Sequence, residues 1–168
     1  KVWRMKDYFT TPRDRITWLK LRFRNLWVAN KGGMNHTYCT ACKRHPESMY
    51  HLCNCKTMRT LFWKEILELF DALGYDRPEH IPSFLAVGRI NEEEVADEVQ
   101  TGILFIAWRC LYAEMRKSRE KNRGPNLRGA YKRTLQMIIS RLTAYGEKWK
   151  KWCTVNANTQ KKKIIPVR

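Results

Sequence analysis

The sequence predicts a mostly α-helical protein in which a small loop rich in cysteine and histidine is followed by a bundle of about four helices. Apolar residues recur at steps of three and four over several long stretches, which is the spacing of one helix face. No stretch alternates apolar and polar residues with the period of two that a half-buried strand shows. With 43% hydrophobic residues, the 168-residue chain can bury a core of ordinary size.

The first predicted helix begins at Thr11-Pro12, because threonine suits the N-cap and proline suits the first helical position. We expect this helix to end at Gly32-Gly33, so that residues 1–33 form a basic N-terminal extension and a helix. Its apolar face is formed by Ile16, Leu19, Phe23, Leu26 and Trp27.

Two further helices are predicted in the middle of the chain. One begins at Met58, carries acidic residues on its outer side and closes at Gly74. The other begins at Asn91 and continues to Lys121, with carboxylates in its first turns and basic residues in its last, as the helix dipole favours. Between them, residues 84–88 form an apolar run that is too short to assign to a strand or a helix.

The last predicted helix follows the break at Gly124-Pro125. Its apolar seam steps by four and three residues through Tyr131, Leu135, Ile138, Leu142, Tyr145, Trp149 and Trp152. A basic tail follows, and this tail is expected to be unstructured on its own. The chain therefore divides into the N-terminal segment 1–33, the Cys/His loop with a helical core at 34–123, the basic amphipathic helix at 124–153 and the tail at 154–168.

Cysteine and histidine are concentrated in the segment YCTACKRHPESMYHLCNC at residues 38–55. Two residues separate Cys39 from Cys42, eight separate Cys42 from His51, and three separate His51 from Cys55. Three thiolates and one imidazole form a tetrahedral ligand set for zinc. We therefore predict a CCHC zinc-knuckle-like loop with a structural zinc cofactor. Four protein ligands leave no position for a catalytic water.

Other residues compete for the fourth ligand position. Cys53 lies only two positions after His51, a spacing that strains the closure, so we interpret it as a buried thiol. His36 and His45 are also alternatives, but their positions beside glycine and proline are more typical of surface imidazoles. We prefer Cys55 and keep Cys53 as the alternative.

One family shares the pattern of this loop and of the helix after it. The residues that carry the likeness are Cys39, Cys42, Glu47, His51, Leu52, Cys55 and the run RTLFWKEILELF with Trp63. They resemble the zinc-binding region found downstream of the reverse transcriptase in non-LTR (LINE-type) retroelements. The likeness extends more weakly through FIAWRCLYAEMRKSR at 105–119 and spans residues 15–121. That family places four residues between the histidine and the last cysteine, whereas this chain has three.

The resemblance implies nucleic-acid binding, either within a retroelement ribonucleoprotein or by a domesticated copy. It implies no catalysis in this segment. The charge of the chain also favours nucleic-acid binding. Its 33 Lys and Arg against 16 Asp and Glu give a formal net charge of +17, which is concentrated at the two ends of the chain. A polyanionic partner offsets the self-repulsion that such a charge produces.

We therefore predict RNA binding by exposed basic residues, which neutralise phosphates and release counterions. The predicted contacts lie on the first helix, at the end of the long helix, on the last helix and in the tail. They are Arg13, Lys20, Arg24, Lys31, Arg116, Lys117, Arg119, Arg128, Lys132, Arg133, Lys148, Lys150, Lys151, Lys161, Lys162 and Lys163.

No pattern indicates catalysis, so we expect a protein that is not an enzyme. The sequence has no Gly-rich phosphate loop, GxSxG elbow or HExxH pair, and the acidic run NEEEVADE at 91–98 fits a helix start. No apolar run approaches the length of a membrane span, and the first residues lack the apolar stretch of a secretory signal. We expect an intracellular protein, located in the mitochondrion, the nucleus or another ribonucleoprotein compartment.

The predicted function is an architectural, RNA-binding subunit of a large ribonucleoprotein such as a ribosome or mitoribosome. Its expected partners are rRNA or another structured RNA and the other proteins of the complex. One alternative is the C-terminal nucleic-acid-binding region of a retroelement reverse transcriptase protein, which requires a polymerase upstream of Lys1. A further alternative is a protein-interaction subunit without nucleic-acid contact, for which any RNA binding depends only weakly on salt.

Overall fold

The computed structural model describes residues 11–22, 38–81 and 98–145 of the chain. These residues are mostly helical and contain no β-strand, which confirms the predicted fold class. The helices are α1 (Pro12–Arg22), α2 (Met49–Asn54), α3 (Lys56–Met58), α4 (Lys64–Ala72), α5 (Glu98–Glu120) and α6 (Leu127–Tyr145), and a π-helical turn at Arg59–Trp63 joins α3 to α4.

Helix α5 is the centre of the core. Every residue from Val99 to Trp108 is buried, so this half of α5 is covered on all sides. Helix α6 packs along α5, and the π-helical turn and α4 pack across the pair. The indole rings of Trp63 and Trp108 stack with their centroids 6.3 Å apart and thereby join the π-helical turn to α5.

Helix α1 begins as predicted but packs through an unexpected residue. The Thr11 hydroxyl accepts a hydrogen bond from the Asp14 backbone N–H at 3.2 Å, and the Thr11 N–H donates to the Asp14 carboxylate at 2.8 Å. Asp14 is 1% exposed, whereas Ile16 is 52% exposed, so the predicted apolar face was wrong for Ile16. The anchor of α1 is instead the Asp14 carboxylate, which pairs with Arg109 of α5 and with Arg141 of α6.

The helix predicted from Met58 starts two residues earlier, at Lys56, and includes the π-helical turn. Its predicted end at Gly74 is confirmed, because Gly74 has a φ of 73° and its N–H donates to the Asp71 carbonyl. The short helix α2 was not predicted. It is six residues long and is capped by Ser48.

The turn between α5 and α6 is held by a buried carboxylate. Glu114 is 2% exposed, and it accepts hydrogen bonds from the Asn126 backbone N–H at 2.9 Å and from Arg133 at 2.8 Å. Arg123 contacts the same carboxylate at 3.2 Å. The chain break predicted at Gly124-Pro125 therefore coincides with a turn whose geometry is fixed by charge-assisted hydrogen bonds.

Several predicted features lie outside the described residues. These are the first helix beyond residue 22, the apolar run 84–88, the helix start at Asn91, the last helix beyond residue 145 and the tail 154–168.

Candidate metal centre and nucleic-acid interface

Four potential metal ligands meet at one point beside α2. One ligand atom each from Cys39, Cys42, His51 and Cys55 lies within 4.8 Å of the others. The Cys42 Sγ and His51 Nε2 atoms are 3.4 Å apart. Bond lengths of roughly 2.3 Å to sulfur and 2.0 Å to nitrogen place tetrahedral S and N ligands roughly 3.5 Å from each other. The four side chains therefore lie close enough together to bind a single metal ion.

The first two ligands lie on a tight loop. An isolated β-bridge joins Tyr38 to Pro46, and the Cys39 N–H donates to the His45 carbonyl at 2.8 Å. The Lys43 N–H then donates to the Cys39 carbonyl at 2.8 Å, with Lys43 at a φ of 58°. This turn reverses the chain within the Cys-x2-Cys unit, so that both sulfurs lie on the same side.

Backbone N–H groups of this loop are directed at the two sulfurs. Burial raises the pKa of the Cys39 thiol to about 12, although the N–H groups of Cys42 and Ala41 oppose the shift. Burial also raises the pKa of Cys42, but hydrogen bonds from the backbone of Arg44 and His45 outweigh it, and the pKa lies below its ordinary value. These N–H groups favour thiolates, the form in which cysteine binds a metal.

The other two ligands come from α2 and its end. Ser48 caps α2 by accepting a hydrogen bond from the His51 N–H at 3.0 Å, and the Cys55 N–H donates to the His51 carbonyl at 2.6 Å. His51 and Cys55 are four positions apart on this helical turn, so their side chains share one face. The three-residue spacing, which departs from the retroelement family, therefore suits a helical ligand pair.

The alternative ligands lie outside this cluster. Cys53 is 4% exposed but does not join the four ligand atoms, and burial raises its pKa well above the ordinary value. His45 is exposed, with its ring centroid 5.5 Å from that of His51. Burial lowers the pKa of His51, and the charge of His45 lowers it further, which favours the neutral imidazole that binds metals. His36 lies outside the described residues.

Residues 38–55, which we call the knuckle, dock against the C-terminal half of α5. The Arg119 guanidinium pairs with the fully buried carboxylate of Glu47, and the Thr40 hydroxyl contacts the Met115 sulfur at 3.9 Å. The sequence predicts a phosphate contact at Arg119, but the Arg119 side chain is only 10% exposed. Its structural partner is Glu47, so we remove Arg119 from the predicted RNA contacts.

The knuckle is also tied to the core by Trp63. The Trp63 indole N–H donates to the Leu52 carbonyl of α2 at 3.0 Å, and both residues are buried. A single side chain of the π-helical turn therefore contacts both the helix that supplies His51 and the centre of α5.

Basic residues that are about 100 positions apart in the sequence meet in a groove between α1 and α5. The groove has a volume of about 1010 Å³. Helix α1 contributes Arg13 and Lys20, and α5 contributes Arg116 and Lys117, as sequence analysis assigned. The other lining residues were not predicted, because only the packing of α1 against α5 brings them together: they are Ile16, Thr17, Arg109, Tyr112, Ala113, Glu120 and Lys121.

Three of the other predicted contacts belong to the described residues, and these three do not line the groove. Arg128 and Lys132 are exposed on α6, and the half-exposed Arg133 pairs with Glu114. Their role in RNA binding stays a prediction. The others lie outside the described residues: Arg24, Lys31, Lys148, Lys150, Lys151, Lys161, Lys162 and Lys163.

Within the described ranges, no helix is both long enough and apolar enough to cross a membrane. Comparisons with protein-family models, with curated proteins and with solved structures found no match to this chain. The resemblance to the retroelement zinc-binding region therefore stays a prediction that rests on the residues quoted for it.

Proposed function

We propose that this chain is a non-catalytic RNA-binding subunit of a large ribonucleoprotein, with a structural zinc ion bound by its knuckle. The observation that carries the proposal is the basic groove between α1 and α5. Four of its cations, Arg13, Lys20, Lys117 and Lys121, have no ion-pair partner among the residues that the structure describes. Their convergence from two separate helices produces a cationic surface suited to a polyanion.

The other two cations of the groove are paired with carboxylates. Arg109 pairs with Asp14, and Arg116 pairs with the groove's carboxylate, Glu120, at 3.0 Å. Among the residues that the structure describes, the unpaired positive charge of the groove therefore comes from Arg13, Lys20, Lys117 and Lys121. Phosphates that replace condensed counterions at such cations give an affinity that depends strongly on salt.

The apolar side chains that line the groove favour RNA with unpaired bases. Ile16 is more than half exposed there, and Tyr112 and Ala113 line the same surface. A nucleic-acid duplex presents sugars and phosphates at its surface, whereas an unpaired strand also presents flat apolar base faces. A groove lined by both basic and apolar side chains is complementary to such a strand.

Zinc is the ion that we propose for the knuckle. Three thiolates and one imidazole in a tetrahedral arrangement suit zinc better than calcium or magnesium, which prefer oxygen ligands. Four protein ligands close the coordination sphere, so the ion supplies folding energy and activates no water.

The groove is tested with the variant Lys20→Gln/Lys117→Gln in the metal-loaded full chain, which replaces two of these four basic side chains. We expect the affinity for a short single-stranded RNA, measured by fluorescence anisotropy, to fall about tenfold, because two phosphate contacts are lost. The control is Lys43→Gln/Arg77→Gln, which removes the same charge from two exposed positions that lie outside the groove and are not among the predicted RNA contacts. Its expected loss is smaller than threefold, or about 0.6 kcal/mol.

Equal losses of affinity in the two variants would show that RNA binding depends on net charge alone, and the groove would then not be the site.

Membership of a ribonucleoprotein is tested separately on the endogenous protein in a sucrose gradient. We propose that the protein sediments with a large particle and moves to light fractions after RNase treatment. Sedimentation that RNase leaves unchanged contradicts the architectural role.

A further inference from the structure

The outer side of the knuckle carries two adjoining depressions. The first has a volume of about 620 Å³ and lies against three of the metal ligands, with Arg44 and Lys56 on its wall. The second has a volume of about 510 Å³ and is lined by Lys56, Arg59 and Lys64. Both depressions include Asn54 and Lys56, so they form one continuous surface, which we call the knuckle surface.

The knuckle surface is cationic. Its lining contains Arg44, Lys56, Arg59 and Lys64, and no carboxylate among the described residues lines either depression. Lys64 pairs with Glu68 at 3.8 Å, a contact between two largely exposed side chains. A zinc ion bound by three thiolates and one imidazole carries a formal charge of −1, which leaves the surface positive.

The metal ligands position these cations. Helix α3 begins immediately after Cys55, and the Arg59 N–H donates to the Cys55 carbonyl at 2.8 Å. Arg44 follows Cys42 by two residues, and its backbone N–H is directed at the Cys42 sulfur. The placement of three cations therefore depends on the same loop and helix end that hold the ion.

The π-helical turn at Arg59–Trp63 contributes to the placement of the cations on the knuckle surface. π-helical turns are rare and occur often at functional sites. In this turn Phe62 and Trp63 are buried, while Arg59 and Thr60 stay exposed beside the second depression. The turn thus fixes the core contacts of one side and presents a basic side chain and a hydroxyl on the other.

We infer that the knuckle surface is a second binding site for the phosphate backbone of the nucleic acid, separate from the groove and dependent on the bound metal. Among the described residues, the two sites share no lining residue. The choice of ligand rests on the proposed function, because a single RNA that reaches both surfaces neutralises the cations of each. The knuckle surface supplies phosphate contacts that sequence analysis did not assign.

The test uses Lys56→Gln/Arg59→Gln in the metal-loaded full chain. Both side chains are exposed, so the variant is expected to fold and to retain one zinc per chain. Its affinity for single-stranded RNA falls about tenfold against the same-charge control Lys43→Gln/Arg77→Gln, whose residues line neither the groove nor the knuckle surface. Combination with Lys20→Gln/Lys117→Gln multiplies the two losses, because distant sites contribute independently.

Affinity equal to that of the control overturns the second site. A failure of the groove gives a different result. In that case Lys56→Gln/Arg59→Gln weakens RNA binding, whereas Lys20→Gln/Lys117→Gln does not. The dependence on metal has its own readout: after chelation, Lys56→Gln/Arg59→Gln and the unsubstituted chain bind RNA equally. A difference that persists after chelation overturns that dependence.

Discussion

Replacement of Cys55 by serine is expected to release the metal and unfold the knuckle. Residues 38–55 contain one six-residue helix and one isolated β-bridge, and zinc binding contributes roughly 10–16 kcal/mol to the folding of comparable small domains. Loss of a group that merely orients a metal ligand weakens metal binding by about 10–100-fold. We therefore expect loss of a ligand itself to lower the metal affinity by at least about 100-fold. Helices α5 and α6 should remain folded, since they pack on each other through residues outside the knuckle.

The matched control is Cys53→Ser, which places the same hydroxyl two residues away in a buried position outside the ligand cluster. Zinc per chain is measured by elemental analysis, and local unfolding by hydrogen exchange. The control is expected to retain one zinc, whereas Cys55→Ser exchanges rapidly throughout the knuckle. Metal loss in Cys53→Ser with retention in Cys55→Ser would assign the fourth ligand to Cys53 instead.

The second large effect is expected from Asp14→Asn, which keeps the size of the side chain and removes its charge. Arg109 and Arg141 then lose their anionic partner at a buried position. Breaking a buried pair of this kind costs several kcal/mol, and we expect about 2–4 kcal/mol because both guanidinium groups are partly exposed. Helix α1 should detach from α5, so fast hydrogen exchange over residues 12–22 is the most direct readout.

Asp71→Asn is the control for this variant, since Asp71 forms an ion pair with Arg77 at the exposed surface. It is expected to leave urea unfolding nearly unchanged.

Burial raises the pKa of Asp14, but hydrogen bonds from Thr11 and Arg109 outweigh it, and the folded pKa lies below 3.8. The Asp14 carboxylate therefore stabilises the fold fully at pH values above its ordinary pKa of 3.8. This stabilisation is lost as the pH falls through the lower pKa that Asp14 has in the folded chain. An Asp14→Asn chain as stable as the unsubstituted one excludes this anchor.

Ligand spacing was sufficient to predict the position of the metal cluster. The Cys-x2-Cys unit and His51 are recognisable because tetrahedral coordination requires few intervening residues. The choice between Cys53 and Cys55 depended on geometry that the sequence only suggested. The helical turn of α2 then brought Cys55 beside His51 and left Cys53 buried outside the cluster.

Buried carboxylates were not predictable from hydrophobic periodicity. Asp14, Glu47 and Glu114 are each at most 2% exposed, and each is paired with arginine. A pattern of apolar residues treats such positions as solvent-facing, which is why Ile16 was placed inside and Arg119 was placed at the surface. The groove was also beyond sequence analysis, because nothing local specifies that α1 packs beside the end of α5.

The dependence of RNA affinity on salt tests the central claim most directly. For single-stranded RNA, the slope of log K against log salt is about −0.7 for each phosphate contact. The Lys20→Gln/Lys117→Gln chain should therefore show a slope shallower by about 1.4 than the unsubstituted chain. Identical slopes, or an unsubstituted chain whose affinity does not change with salt, would contradict RNA binding through the groove.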